Sequence, residues 1–212
     1  LTFALSEAST LPHLLEKENF STFSFSYYDD RTADSTLQLT PRENMHKVVA
    51  DANRFVEEFD EKNRSVLIYG NTGVGKTFLT NCIAKALLDT AHHVVYLTSH
   101  ALFEAFEAHR FDHGEQPEQS SLYHYIFHSD LLIIDDLGTE LSNSFTNSML
   151  YTCINERQLH GKSTVISTNL SLEQLRDRYS ERIFSRITGN YTLWKLIGMD
   201  IRVLKRMEGS FA

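Results

Sequence analysis

Apolar residues along the chain follow two spacings in turn, and these predict helices and strands that alternate. After Pro41, which suits the first turn of a helix, apolar side chains recur every three or four residues as far as Phe59. Short, continuous apolar runs are typical of buried strands, and such strands are predicted over residues 65–69, 93–98, 131–135, 164–168 and 191–197. Helices are predicted between them over residues 77–88, 101–109, 123–128, 143–159, 172–178 and 181–187.

This alternation predicts a parallel sheet with helices on both faces. We therefore expect an α/β fold of three layers, α/β/α, around a mostly parallel five-stranded sheet. Residues 41–212 form the predicted domain, and residues 1–40 are predicted to be an irregular, aromatic-rich arm that lies across it. Residues 111–121 are predicted to be a polar loop, and residues 200–207 a short basic tail.

Composition and charge narrow the choice of function. The chain has 212 residues, 42% of them hydrophobic, which suits a single domain with a real core. A net charge of −8 argues against a protein that coats nucleic acid through its overall charge. No apolar run approaches the roughly 18 residues of a membrane span, and no signal peptide is recognisable. Cys82 and Cys153 lack any motif spacing, and we expect buried thiols in a reducing cytoplasm.

A glycine-rich turn follows the first predicted strand and opens the next helix. Residues 70–77, GNTGVGKT, fit G-x-x-x-x-G-K-[ST] at every fixed position. Backbone N–H groups of such a loop wrap a polyphosphate, Lys76 contacts the β- and γ-phosphates, and Thr77 offers its hydroxyl to Mg²⁺. The predicted ligand is therefore ATP with Mg²⁺. The predicted contact residues are Gly70, Asn71, Thr72, Gly73, Val74, Gly75, Lys76, Thr77 and Phe78.

Two further strands are predicted to end in polar residues at the same edge of the sheet. The apolar residues 131–134 lead into Asp135 and Asp136. Ligands of open α/β folds bind at the carboxyl ends of the strands. Asp135 is predicted to hold Mg²⁺ through its water shell, and Asp136 to orient the attacking water. Asn169, at the end of the next strand, is predicted to contact the γ-phosphate or that water, although Asn also favours plain turns.

Arginines near the C-terminus are candidates for a second kind of phosphate contact. Arg182 and Arg186 are four residues apart and share one face of a predicted helix. One use for such a pair is an arginine finger that reaches the γ-phosphate bound by a neighbouring subunit. The alternative is ordinary surface charge, balanced by Asp177 and Glu181. Arg202 has a similar ambiguity.

Taken together, these motifs resemble the AAA+ ATPases of the DnaC/DnaI helicase-loader family. The resemblance spans about residues 19–206 and rests on the stretches NFSTFSFSYY, YGNTGVGKTFLTNCIA, LLIIDDLGTE, STNLSLEQL and ERIFSRI. The roles that it implies are Walker A for Lys76 and Thr77, Walker B metal ligand for Asp135, sensor 1 for Asn169, arginine finger for Arg186 and sensor 2 for Arg202.

The sequence departs from the family pattern at the end of the third predicted strand. AAA+ proteins usually carry Asp-Glu there, whereas this chain has Asp135 and Asp136. Because aspartate is one methylene shorter, its reach to the water is in question, and Glu140 is near enough to share the role. The upstream domain that grips the helicase in this family is also missing, and a start at Leu1 without Met suggests an excised fragment.

The resemblance also implies partners: a replicative DNA helicase held through the missing upstream domain, single-stranded DNA, and an ATP-dependent homo-oligomer, with no membrane. It places the DNA contact in a helical insertion between the second and third strands, here residues 99–129. Side chains in this insertion either stack on bases or pack on the core. They are His100, Phe103, Phe106, His109, Phe111, Tyr123, Tyr125 and Phe127.

The leading hypothesis is an ATPase that helps to load a DnaB-type helicase on single-stranded DNA during replication. An IstB-like accessory ATPase for transposition shares the same core. A small-molecule kinase uses the same phosphate loop, but the sequence shows no arginine-rich lid for a second phosphate substrate. A nucleotide switch that does not hydrolyse ATP is the third alternative, since Asp136 replaces the usual glutamate.

Overall fold

A single parallel sheet runs through the part of the chain that the computed structural model describes, residues 11–111 and 117–209. Its order is β2-β3-β4-β1-β5, and all four pairings are parallel. The predicted five-stranded α/β fold is confirmed, because every strand lies within one residue of its predicted bounds. The strands are β1 (Ser65–Gly70), β2 (Val94–Thr98), β3 (Leu131–Asp135), β4 (Ser163–Thr168) and β5 (Tyr191–Leu196).

Helices cover both faces of this sheet, which confirms the three layers. Alternate residues of a strand enter different cores: Val66 and Ile68 pack on one side, and Leu67 packs on the other. The first side holds α1 (Leu11–Lys17), α2 (Pro41–Glu57) and α3 (Lys76–Asp89). The second holds α4 (Ser99–Phe111), α5 (Pro117–His128), α6 (Ser144–Leu159), α7 (Leu172–Arg178) and α8 (Glu181–Asn190). After β5 the chain continues into α9 (Ile201–Gly209).

The start of α2 shows how local sequence fixes an element. Thr40 and Glu43 form a capping box, in which the Thr40 hydroxyl accepts from the Glu43 N–H at 3.2 Å and the Glu43 carboxylate accepts from the Thr40 N–H at 2.8 Å. Such a cap stabilises a helix by about 1 kcal/mol, and Pro41 at the first position adds a preset φ. The predicted helix start at Pro41 is therefore confirmed.

Three segments differ from the prediction. In the arm predicted to be irregular, residues 11–17 form α1, because Leu15 buries its side chain in the core beside α3. Residues 117–121 were assigned to a polar loop and instead begin α5, since Pro117 suits a first helical turn. The basic tail forms α9. Residues 112–116 of the predicted loop, residues 1–10 of the arm and residues 210–212 lie outside the described residues.

Arg157 of α6 is a fully buried cation in the second core. Its guanidinium donates to the carbonyl oxygens of Ile126 at 2.7 Å, Ser129 at 3.1 Å and Ser163 at 2.6 Å, and to the Thr164 hydroxyl at 3.0 Å. Burial lowers its pKa to about 10. This side chain therefore joins the end of α5 to the beginning of β4, at the edge of the sheet away from the phosphate loop.

Both cysteines are free and buried, as predicted. Burial raises the pKa of the Cys82 thiol, and that of the Cys153 thiol, to about 12. No helix in the described part of the chain is long and apolar enough to cross a membrane.

Candidate functional site

The loop between β1 and α3 has a backbone shape that depends on glycine. Gly73 has a φ of 75°, and a Cβ there would lie 2.0 Å from a carboxylate oxygen of Asp200. Gly75, the N-cap of α3, has a φ of 98°, and its Cβ would meet the Tyr28 hydroxyl at 2.6 Å. Any other residue at either position would therefore strain the backbone and displace a neighbouring side chain. Since α3 begins at Lys76, the free N–H groups of its first turn lie at this loop and favour an anion.

Lys76 connects the loop to the residue predicted as a sensor. Its ammonium donates to the carbonyl oxygens of Gly70 at 2.9 Å and Asn71 at 2.7 Å, and to Asn169 Oδ1 at 2.6 Å. The amide nitrogen of Asn169 donates in turn to Asp136 Oδ1 at 3.2 Å. Burial lowers the pKa of Lys76 to about 8, although the nearby aspartates oppose that shift. The structure thus brings together three of the predicted site residues in one hydrogen-bonded chain.

Asp135 lies beside the predicted Mg²⁺ hydroxyl. Thr77 Oγ1 is 3.4 Å from Asp135 Oδ1, the Tyr96 hydroxyl donates to Asp135 Oδ2 at 3.0 Å, and Ser167 also donates to Oδ1. Burial, and then the charge of Asp136, raise the pKa of this carboxyl, although the hydrogen bonds oppose the shift. A hydroxyl and a carboxylate are oxygen ligands of the kind that Mg²⁺ takes, and the donor set therefore fits this ion.

Asp136 lines the cavity in an unusual backbone conformation. Its φ is 55°, in the left-handed region that residues other than glycine seldom adopt. Its N–H donates to Ser167 Oγ at 3.0 Å, and its carbonyl oxygen accepts from the hydroxyls of Ser99 and Thr139, each at 3.0 Å. These bonds compensate for the cost of the conformation and hold the carboxylate beside Asn169.

Glu140 does not share this position. Only 5% of the residue is exposed, and its carboxylate accepts from the Tyr179 hydroxyl at 2.5 Å and the Gly138 N–H at 2.8 Å, with Arg178 Nε at 3.6 Å. Burial alone would raise the pKa of Glu140, but the hydrogen bond from Tyr179 and its neighbours holds it below the ordinary value. Glu140 therefore fastens its loop to the end of α7, and of Asp136 and Glu140 only Asp136 lines the cavity.

The cavity at this edge of the sheet has a volume of about 510 Å³. One wall is formed by the phosphate loop and the start of α3, and Asp136 and Asn169 also line the cavity. The opposite wall comes from the N-terminal arm and α9, and Arg202 is its one residue that the sequence predicted for the site. The residues of that wall are Lys17, Glu18, Thr22, Phe23, Ser24, Tyr27, Tyr28, Ile201, Arg202 and Lys205.

A hydrogen bond and a contact between two aromatic rings hold the arm against the phosphate loop and the start of α3. The Tyr28 hydroxyl donates to the Val74 carbonyl oxygen at 3.2 Å. Phe23 packs edge-on against Phe78, with ring centroids 5.4 Å apart. For the part of the wall that the arm forms, the sequence signal was its cluster of aromatic residues. The arm's contacts join positions about 50 residues apart, and local patterns therefore do not reveal them.

Arg202 reaches the same cavity from α9. Its backbone N–H donates to Asp200 Oδ1 at 2.8 Å, and its positive charge contributes to the lowered pKa of Lys76. The Ile201 N–H donates to the Gly73 carbonyl oxygen at 2.9 Å, which joins the first turn of α9 to the phosphate loop. Arg202 therefore lines the same cavity as the phosphate loop, and its role as sensor 2 stays a prediction.

Arg186 is not at this cavity. It lies on α8 in a second, more open pocket of about 610 Å³, together with Arg182, Tyr151 and Asn190. Its guanidinium is 3.5 Å from Gln158 Oε1. Among the described residues, the two pockets share no lining residue. A contact between Arg186 and a nucleotide would therefore have to involve a neighbouring subunit, as the arginine-finger prediction requires.

The predicted DNA insertion is formed by α4 and α5, and part of its aromatic surface faces the core. Phe103, Phe106 and Phe127 are buried, and for these three the core interpretation is right. His109 stacks on Tyr123 with centroids 3.7 Å apart. The side chain of Phe111 lies outside the described residues. Base stacking in this segment is therefore left to fewer side chains than the sequence suggested.

The strand order, the phosphate loop and the acidic end of β3 define a P-loop fold of the AAA+ type. Residues 33–187 match the family described as IstB-like ATP binding protein, and the chain belongs to that family. The protein is also similar to the replicative helicase loader DnaC of Escherichia coli (strain K12), with 25% identity over 158 residues. This match covers 74% of the chain and 64% of DnaC, slightly less than two thirds of the relative's length.

Solved structures agree with this assignment. The crystal structure of the DnaC helicase loader superposes with a TM-score of 0.66 at 22% identity, covering 87% of this chain and 99% of that one. The crystal structure of DnaI gives a TM-score of 0.66 at 21% identity, covering 88% of this chain and 94% of that one. These likenesses show the fold, and together with the DnaC match they confirm the resemblance that the motifs predicted.

Proposed function

We propose that this protein binds ATP with Mg²⁺ in the cavity of the phosphate loop and hydrolyses it. The observation that carries the proposal is the chain of contacts from Lys76 through Asn169 to Asp136. It places a cation, an amide and a carboxylate side by side, where a γ-phosphate and an attacking water would both have partners.

Each residue of the site has a defined task in this proposal. Lys76 exchanges one of its three oxygen partners for a phosphate oxygen. Thr77 and Asp135 would hold Mg²⁺, which would supply positive charge to the phosphates. Asp136 orients the water, and Asn169 keeps the carboxylate of Asp136 and the ammonium of Lys76 at a fixed separation. Arg202 adds positive charge from α9.

The substitution Lys76→Ala tests the nucleotide site directly. Loss of the charge-assisted contacts should weaken ATP binding about 100-fold, and hydrolysis should be lost with it. Lys85→Ala is the matched control, because Lys85 is on the same helix and pairs with Asp89 at its surface. Titration with a fluorescent ATP analogue measures the affinity. Equal affinity in the two variants would refute the assignment of the site.

We further propose that this protein acts as a cytoplasmic loader of a replicative helicase on single-stranded DNA, as an ATP-dependent homo-oligomer. The family match and the likeness to DnaC, whose printed name is replicative helicase loader, support this function. The full-length protein should co-purify with the host's replicative helicase when ATP is present, and the Lys76→Ala variant should not. Retention of a transposase in place of the helicase would favour the IstB-like alternative in transposition.

A nucleotide switch without hydrolysis is the second candidate, and one observation favours it. The carboxylate beside Asn169 in the cavity belongs to an aspartate, which is shorter than the usual glutamate, and Glu140 does not replace it. Phosphate release by the purified protein, with and without single-stranded DNA, separates the two functions. Turnover under either condition rejects the switch.

A further inference from the structure

The metal-ligand candidate Asp135 is held from both sides by side chains that no motif includes. β3 lies between β2 and β4 in the sheet, and each neighbour sends one hydroxyl to the Asp135 carboxylate. The Tyr96 hydroxyl, from β2, donates to Oδ2 at 3.0 Å, and the Ser167 hydroxyl, from β4, donates to Oδ1. Each carboxylate oxygen therefore has a fixed partner within the protein.

These contacts are shielded from solvent. Asp135 and Tyr96 are each 5% exposed, and Ser167 is fully buried. The Tyr96 hydroxyl also lies 2.9 Å from Thr80 Oγ1, whose single proton is shared between the Tyr96 oxygen and the Thr77 carbonyl oxygen, 2.8 Å away. Tyr96 is thus tied to the turn of α3 that carries the other metal-ligand candidate, Thr77.

Ser167 also contacts Asp136, the next residue after Asp135. Its hydroxyl oxygen accepts from the Asp136 N–H at 3.0 Å while its proton goes to Asp135. One buried side chain therefore fixes both the carboxylate of Asp135 and the left-handed backbone of Asp136, whose φ is 55°.

We propose that Tyr96 and Ser167 are positioning residues that fix the Asp135 carboxylate in the orientation required to hold Mg²⁺ beside a bound nucleotide. The inference rests on the proposed function, because it concerns the same metal. Hydrogen bonds to both oxygens oppose rotation of the carboxylate about its Cβ–Cγ bond. Loss of such outer partners typically weakens metal binding by about 10- to 100-fold.

Two conservative deletions test the proposal. Tyr96→Phe and Ser167→Ala each remove a single oxygen. Tyr191→Phe and Ser163→Ala are the matched controls. Tyr191 and Ser163 are also buried on strands, but they are the first residues of β5 and β4, at the edge of the sheet away from the phosphate loop. Thermal unfolding of all four variants shows whether they fold.

The main measurement is Mn²⁺ binding to the protein–ADP complex, followed by electron paramagnetic resonance, with ADP affinity in EDTA as the second. We expect Tyr96→Phe and Ser167→Ala to weaken Mn²⁺ binding about 10-fold, with metal-free ADP affinity unchanged. Tyr191→Phe and Ser163→Ala should match the unmodified protein in both measurements. Hydrolysis by Tyr96→Phe should recover at high Mg²⁺, a response that simple loss of stability would not produce.

The outcomes separate this inference from the function on which it rests. If the unmodified protein binds no ADP, the proposed function fails. If it binds Mn²⁺ and ADP, but Tyr96→Phe behaves like Tyr191→Phe, the positioning role is overturned and the nucleotide site stands. If Ser167→Ala does not fold, Tyr96→Phe alone decides, since it leaves the ring in place.

Discussion

The cavity at the phosphate loop and the arginine pocket on α8 carry the two sets of predicted phosphate contacts, and they are built differently. In the cavity, charged groups are held by partners of the same chain: Lys76 has three oxygen partners, and Asp135 has hydroxyls at both oxygens. In the α8 pocket, Arg182 is exposed, and Arg186 has a long contact of 3.5 Å with Gln158.

This difference indicates which site one chain can complete by itself. A pre-organised site costs little to reorganise when its ligand arrives, because its side chains are already fixed. Arginines on an open surface become ordered only when an anion reaches them. We therefore propose that one chain binds the nucleotide by itself and that the α8 pocket contacts another molecule.

The largest expected effect concerns Arg186, which is predicted to act on the nucleotide of a neighbouring subunit. We expect Arg186→Ala to lower hydrolysis by about 1,000-fold, the lower range for arginine fingers, with ATP affinity unchanged. The control is Arg176→Ala, because Arg176 is an exposed arginine that pairs with Asp177. Steady-state hydrolysis and nucleotide titration measure the two quantities. Full activity in Arg186→Ala would reject the finger.

Assemblies that mix two inactive variants test whether Arg186 acts across an interface. Arg186→Ala and Lys76→Ala subunits should each be inactive alone, but a mixture should regain part of the activity. In the mixture some interfaces pair an intact phosphate loop from one subunit with an intact Arg186 from the other. A mixture as inactive as its components would show that Arg186 does not act across an interface.

The second prediction contrasts two carboxylates near the end of β3. Asp136→Asn should lower hydrolysis by about 100-fold and leave ATP bound, because the amide cannot polarise water as a carboxylate does. Glu140→Gln should instead lower the unfolding temperature, since it disturbs the contacts with Tyr179 and Arg178, and should change the hydrolysis rate of the folded protein much less. The reverse pattern would move the catalytic role to Glu140.

A third, smaller effect concerns the arm. Phe23→Ala should weaken ATP binding by about 10-fold, if the base lies against this aromatic wall, because stacking is worth roughly 1–3 kcal/mol. Phe25 is the matched control, because it lies in the same arm but stacks on His46, with centroids 3.8 Å apart, and does not line the cavity. Equal affinity in Phe23→Ala and Phe25→Ala would remove the arm from the binding site.

The smallest predicted effect is on the thiols. With their pKa values near 12, Cys82 and Cys153 hold almost no thiolate at pH 8, and both are buried. A disulfide reagent should therefore react with them only as the protein unfolds, and bound ATP should slow this reaction by stabilising the fold. Rapid labelling of the folded protein would contradict the burial of both thiols.

Local patterns were sufficient to predict the sheet and the phosphate loop. The apolar run before Asp135 and the glycines before Lys76 are contiguous, and the physics of each lies within a few residues. The part that the arm plays in the cavity wall, the Tyr96 contact and the buried Arg157 were not predicted, because each depends on residues from distant parts of the chain. The start of α5 was missed because Pro117 was counted as a loop residue, although proline also suits a first helical turn.

The first and last described helices both line the nucleotide cavity: α1 through Lys17, and α9 through Ile201, Arg202 and Lys205. Nucleotide exchange should therefore be felt at two places that are about 190 residues apart in sequence, the end of α1 and the first turns of α9. A fluorophore attached at Lys17 or at Lys205 should report that exchange.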